Sequence, residues 1–257
     1  MIINIKIPNT QETLQKKLKN KSEKQMERHI ELIDFHAHIL PAADHGSTDA
    51  AQTERQLSII SQAGIDTVVA TPHFYPNNTT VHEFIQMIDH CAHELISLNT
   101  ERPKIALGAE VLWCDGIEKM EGLDELCIRG TNVLLLELPL RKWPYELFHS
   151  VKMLSQEFIV VLAHIDRYIP QNSGTIKALL DCGAFAQINA YSLFSFSKRR
   201  KLADFLKSEK LVALGSDLHG EDKTAYKKFT RSKKYLGDSF DTIMLRSEAL
   251  LRNAKYI

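Results

Sequence analysis

The stretch DFHAHILPAADHG sets two histidines, His36 and His38, two residues apart and follows them with Asp44, His45 and a glycine. In an extended chain, residues i and i+2 face the same side, so both imidazoles of an HxH pair address one point in space. That geometry suits a divalent metal ion, provided that further imidazoles and carboxylates converge on the same point. Candidates recur toward the ends of apolar runs: His73 in DTVVATPH, Glu110 in KIALGAEVLW, Glu137 in NVLLLELP, His164 in FIVVLAHIDR, and Asp217 and His219 in LVALGSDLHG. Glu110 and Glu137 carry particular weight, because a carboxylate within an apolar run is costly to bury unless cations answer its charge. His29, His82, His90, His93 and His149 fall on expected helices or in the N-terminal segment and read as surface residues.

Something must bring residues scattered over about 180 positions together. The runs ELIDFHAHI and AFAQINAYS join those above to make seven strand-like segments, alternating with helical ones. In AAQTERQLSIISQAG, for example, Leu57, Ile60 and Ala63 keep a helical spacing and Gly64 stands at the C-cap position. The spacer holding MEGLDELC is a less regular helix candidate. This βα alternation predicts an α/β fold closing around a parallel sheet. In a parallel barrel the C-terminal ends of all strands share one rim, and the candidate residues would meet there in a single cup.

Composition narrows the function classes. The 257 residues hold 32 Lys plus Arg against 32 Asp plus Glu, so no net field favours nucleic acid or an acidic membrane. The four cysteines, Cys91, Cys114, Cys127 and Cys182, form no CxxC and read as reduced residues of a cytoplasmic protein. No apolar run approaches the roughly 18 residues of a membrane span. Residues 9 to about 29 are rich in helix formers and nearly free of apolar side chains. The expected organisation is a helical extension over 1–30 and one β/α domain over 31–257.

The motifs DFHAHILP, ATPHF, LGAE, LLLELP, LAHIDRY and GSDLHG, in this order and spacing, closely resemble the polymerase and histidinol phosphatase (PHP) superfamily. Within it they are most similar to the bacterial metal-dependent tyrosine phosphatases of capsular and exopolysaccharide synthesis, the CpsB/CapC-like family. The resemblance covers about residues 31–257. It implies a distorted seven-stranded, TIM-like β/α barrel and a trinuclear site usually described with manganese; the mixed imidazole and carboxylate ligands would also suit iron or zinc. Carried over by position, it implies that His36, His38, Glu110 and Asp217 hold one ion, and that Glu110 bridges to a second held by Glu137 and His164. His73 and His219 would hold a third, and Arg167 would grip the phosphate. The implied partner is a phosphotyrosine protein, the tail of a polysaccharide-synthesis tyrosine kinase.

Two departures from the family pattern stand out. Where the pattern has DDG this chain has DHG, so His45 occupies the place of an aspartate ligand to the third ion and removes one negative charge; Asp44 is the alternative ligand. Beyond His219 the family commonly has a second phosphate-binding arginine, where this chain has Lys223 and Thr224. Lysine is a point charge without the bidentate fork.

Clustered divalent ions would acidify a bridging water, bind phosphate oxygens and stabilise a leaving group. Tyrosine suits such chemistry, since its oxygen has a pKa of about 10 and needs little protonation help. No cysteine precedes an arginine by six residues, and neither G-x-S-x-G nor a P-loop is present, which excludes the corresponding nucleophilic mechanisms. A small-molecule phosphoesterase of the same superfamily and a poorly active metal-binding regulator are the competing expectations. The short polar loop PHFYPNNTTVHEF favours an open rim over a closed pocket.

Overall fold

A computed structural model of the protein describes residues 29–97, 103–140, 143–168 and 173–257. The chain divides into two units, residues 1–30 and 31–257. The helical extension expected over the first unit lies, but for its last two residues, outside the described residues.

In the second unit every pairing between strands is parallel. One sheet has the order β1 (Ile33–Ala37), β2 (Thr67–Ala70), β4 (Lys104–Leu107). The other runs β3 (His73–Phe74), β5 (Glu110–Leu112), β6 (Val133–Glu137), β7 (Ile159–Leu162), β8 (Phe185–Asn189), β9 (Leu211–Gly215). All seven expected runs contain strand, and two of them are divided. Between β2 and β3 stands Pro72, which has no N–H to give a ladder and restricts the residue before it. Between β4 and β5 stands Gly108, where a Cβ would come 3.1 Å from Ile128. Pairing nevertheless continues across both breaks, since Gly108 N–H donates to Ala70 O at 2.9 Å and Glu110 N–H to Pro72 O at 3.0 Å. At the other side, Asp217 N–H donates to His36 O at 2.8 Å and His38 N–H to Leu218 O at 3.0 Å, joining the ends of β9 and β1.

The strands are buried almost throughout, as parallel strands covered on both faces must be. Helices α1 (Ala50–Gln62), α2 (Val81–Ser97), α3 (Tyr145–Glu157), α4 (Ser173–Asp181), α5 (Phe196–Leu206), α6 (Lys223–Arg231), α7 (Lys233–Leu236) and α8 (Asp238–Leu250) fall between or after them. Helix α1 begins where the Asp49 side chain accepts from Gln52 N–H, and it buries Leu57 and Ile60. Its C-cap is Ala63, one residue before the expected position, and Gly64, at φ +74°, takes the left-handed turn out of the helix. The MEGLDELC spacer forms two 3-10 turns, Ile117–Lys119 and Leu123–Leu126, instead of an α-helix. The four cysteines are unbridged, Cys91 and Cys127 buried and Cys114 and Cys182 half-buried. Among the described residues no helix is long and apolar enough to cross a membrane.

Candidate metal centre

Because the strands all run one way, their C-terminal ends share one rim, and the candidate side chains collect there. His36 Nε2 and His38 Nε2 stand 3.0 Å apart, both fully buried, aimed at the common point that the i, i+2 spacing predicts. Glu110 Oε2 lies 3.2 and 3.4 Å from them, and Asp217 Oδ1 3.8 and 3.5 Å. The other Glu110 oxygen is 2.6 Å from His164 Nε2, which is itself 3.6 Å from Glu137 Oε1. Glu110 thus faces two groups of candidate ligands at once. His73 Nδ1 approaches it at 2.9 Å, and His219 stacks on His38 with ring centroids 4.0 Å apart.

The grouping differs in detail from the one carried over by resemblance. Among the described residues, candidate ligand atoms lie mutually within 4.8 Å in three sets: His36, His38 and Glu110; His38, His73 and His219; and His73, Glu110 and Glu137. His45 belongs to none of them. Its ring is exposed at the mouth and stacks on His73 and His219 at 4.9 and 4.6 Å. Asp44 is occupied elsewhere, its Oδ2 2.6 Å from His38 Nδ1 and accepting from His73 N–H at 3.0 Å, while Oδ1 accepts from Gly46 N–H at 2.8 Å. A carboxylate on Nδ1 fixes the imidazole with its Nε2 lone pair toward the cup.

The donor set fits divalent cations. His73 Nδ1, Glu110 Oε2, Asp217 Oδ1 and His219 Nε2 are buried without a hydrogen-bond partner, which is costly unless something coordinates them. Burial alone would keep His36 and His38 neutral, yet Glu110 and Asp217 raise both. Burial would likewise raise Glu110 and Asp217, but the facing imidazoles hold both far below the ordinary carboxylate range. The cup demands positive charge, and ions between the ligands satisfy it better than protons between nitrogens 3.0 Å apart. His219 is pushed down to about 4 by burial and by the His38 charge, which leaves it neutral with a free lone pair at pH 7. Glu137 is raised by burial and by Glu110 beside it.

Arg167 stands at the mouth, one-third exposed. It donates from Nη2 to Asp217 Oδ2 at 2.5 Å, and its Nη1 lies 3.7 Å from Glu137. Asp217 holds its charge firmly, so the guanidinium stays cationic at every accessible pH. Lys223 starts α6 and lines a groove between α1 and α6. His29, His82, His90, His93 and His149 are exposed, as expected.

Several supporting residues escape motif reading. Of the seven runs, AFAQINAYS carries no ligand type, and its strand β8 has Gln187 and Asn189 toward its end. Gln187 Oε1 accepts from His164 N–H at 2.6 Å and lies 3.3 Å from His36 Nδ1. Asn189 Nδ2 donates to Asp217 Oδ2 at 2.8 Å. The signal was the QxN alternation in an apolar strand, the same spacing as HxH. Asp34 is no ligand; it accepts from Ser216 N–H at 2.8 Å and from Tyr226 O–H at 2.7 Å, fastening β1 to β9. Gly215 has to be glycine, because a Cβ there would stand 2.7 Å from His36 Cβ. His164 at φ +31° and Asp217 at φ +53° hold left-handed backbone that non-glycine residues adopt at a cost, and both are candidate ligands.

A family model described as capsular polysaccharide synthesis, CpsB/CapC, matches residues 32–257. The chain is 26% identical over 211 residues to the tyrosine-protein phosphatase CpsB of Streptococcus pneumoniae, covering 74% of this chain and 84% of that one. It is 29% identical over 180 residues to the tyrosine-protein phosphatase YwqE of Bacillus subtilis, covering 66% and 69%. Among solved structures, one described with YwqE from Bacillus subtilis and CpsB from Streptococcus pneumoniae as unique metal-dependent tyrosine phosphatases superposes with a TM-score of 0.72 at 23% identity, covering 88% of this chain and 96% of that one. An inactive dihydroorotase-like domain from Chaetomium thermophilum reaches 0.53 at 11% identity, over 87% and 80%, which marks a shared fold alone.

Proposed function

The chain belongs to the CpsB/CapC family of capsular polysaccharide synthesis, and from that membership and the rim geometry we propose that it is a metal-dependent protein-tyrosine phosphatase. Its substrate on this reading is the phosphotyrosyl tail of a polysaccharide-synthesis kinase. The relatives named as tyrosine phosphatases support the activity, and the unbridged cysteines accord with a cytoplasmic setting. We read the two sheets as one distorted barrel of seven staves, with β2 and β3 forming one stave and β4 and β5 another; the bonds across the breaks and between the ends of β9 and β1 support this.

The observation that carries the proposal is the convergence of His36 Nε2, His38 Nε2 and Glu110 Oε2 beneath a guanidinium. His36, His38, Glu110 and Asp217 would hold one divalent ion, and Glu110, Glu137 and His164 a second. His73 and His219 would hold a third, with His45 at its open side. Two or three ions, manganese foremost and iron or zinc compatible, suit this mix. When bound, they supply a water acidified toward neutral pH and charge to offset the phosphoryl oxygens.

The protein's own residues do the rest. Arg167, held by Asp217, keeps N–H groups free to donate to the phosphoryl oxygens as they gather charge in transfer. Its anchoring means that little orientational entropy is lost when substrate arrives. Asp44 fixes the His38 tautomer, and Gln187 and Asn189 orient His164 and Asp217. The tyrosyl oxygen leaves at the mouth, where His219 and Arg167 are each about 30% exposed (28% and 33%) and water can protonate it.

The deciding experiment compares hydrolysis of a phosphotyrosyl peptide, histidinol phosphate and nucleotides by manganese-loaded protein. Preference for the peptide is expected. Faster turnover of either small molecule would overturn the protein-phosphatase reading.

A further inference from the structure

Helices α1 and α6 lie side by side and enclose a groove of about 660 Å³, within the range of ligand clefts. Arg55, Lys223 and Lys227 line it, with Glu221 the one acid, over a floor that includes Ile59, Ala63 and Tyr226. Arg55 Nε pairs with Glu221 at 2.8 Å, which leaves its remaining N–H groups and both lysines for an incoming anion. The sequence of α6, KTAYKKFTR, carries four basic residues and no acid, although the chain as a whole is balanced. Lys223 and Lys227 are exposed and one helical turn apart, a like-charge spacing that weakens a helix slightly.

The groove is tied to the rim through the chain and through hydrogen bonds. Glu221, which lines the groove, is two residues from His219, and Gly220 between them is held by Gly46 O at 2.6 Å and by the Gln56 side chain of α1 at 2.9 Å. Its floor residue Tyr226 donates to Asp34, whose carboxylate also accepts from His36 N–H. The same bonds that fix the cup therefore also hold the groove.

We infer that the α1/α6 groove binds an acidic segment of the phosphotyrosyl protein that flanks the phosphotyrosine, so that substrates with neighbouring Asp or Glu are favoured. This rests on the phosphatase reading for its biological sense. Its physical content, charge-selective peptide binding, stands apart from catalysis.

The test uses a fluorescein-labelled peptide rich in Glu but without phosphotyrosine, and its Gln counterpart, titrated by fluorescence anisotropy into full-length protein. The acidic peptide should bind more tightly. Lys227→Glu, an exposed change outside the cup, should weaken it roughly 3- to 10-fold at low salt, the scale expected for reversing one solvent-screened charge. It should leave p-nitrophenyl phosphate hydrolysis unchanged and raise KM, with little effect on kcat, for a phosphotyrosyl peptide flanked by Glu. A Lys-flanked peptide should show the opposite change. Equal binding of the two probes, or indifference to Lys227→Glu, would overturn the inference. Charge-selective binding without hydrolysis of any phosphotyrosyl peptide would uphold the groove and refute the phosphatase reading instead.

Discussion

Asp44→Asn separates the role of the DHG aspartate from that of the histidine beside it. In the structure the carboxylate serves three groups: His38 Nδ1 at 2.6 Å and His73 N–H at 3.0 Å on Oδ2, and Gly46 N–H at 2.8 Å on Oδ1. An amide has the same shape but only one acceptor oxygen. Turned one way, its NH2 faces His38 and His73; turned the other, it opposes Gly46 N–H. At least one buried donor is lost in either case, and the charge that favours Nδ1–H on His38 disappears. Loss of such a second partner typically lowers metal affinity about 10- to 100-fold, or about 1.4 to 2.7 kcal/mol. A missing charged hydrogen bond should also cost the metal-free protein roughly 1.5 to 3 kcal/mol. Manganese titration by calorimetry reads the first effect and denaturant unfolding after chelation reads the second. Wild-type affinity in the mutant would refute the claim that Asp44 acts by orienting His38. Loss of ion stoichiometry with unchanged stability would make Asp44 a ligand in its own right.

Arg167→Lys should retain bound metal but slow phosphotyrosyl hydrolysis about 10- to 100-fold, because a lysine pairs with Asp217 or phosphate without the guanidinium fork; an unchanged kcat/KM with intact metal content would remove Arg167 from the reaction. Cys127, 2% exposed, has its thiol pushed up to about 12, first by burial and then by Asp124. It should resist iodoacetamide at neutral pH. Since the folded protein holds this proton more tightly than the unfolded chain, stability should fall as pH rises above about 9, by up to about 1.4 kcal/mol per pH unit more than in Cys127→Ala. Parallel stability curves for the two proteins would contradict the burial of that thiol.

Much of the site is legible in the sequence because it depends on local periodicity. An HxH at a strand end aims two imidazoles at one point whatever surrounds them, and carboxylates within apolar runs announce a buried cation requirement. The alternation of strand and helix likewise fixes that the run ends share a rim, since parallel strands must all finish on the same side. What the pattern does not carry is which atom meets which. The division of β2 from β3 and of β4 from β5 depends on Pro72 and on the approach of Gly108 to Ile128, a long-range contact. The occupation of Asp44 by His38 and His73, and the stacking of His45 on His73 and His219, turn on side-chain directions in a loop that has no repeat. Gln187 and Asn189 are polar residues of ordinary type; only their neighbours across the sheet make them supports for His164 and Asp217. The left-handed backbone at His164 and Asp217 aims those two side chains, and local preference opposes that conformation. Only the surrounding tertiary contacts, each made between segments distant in the chain, can hold it there.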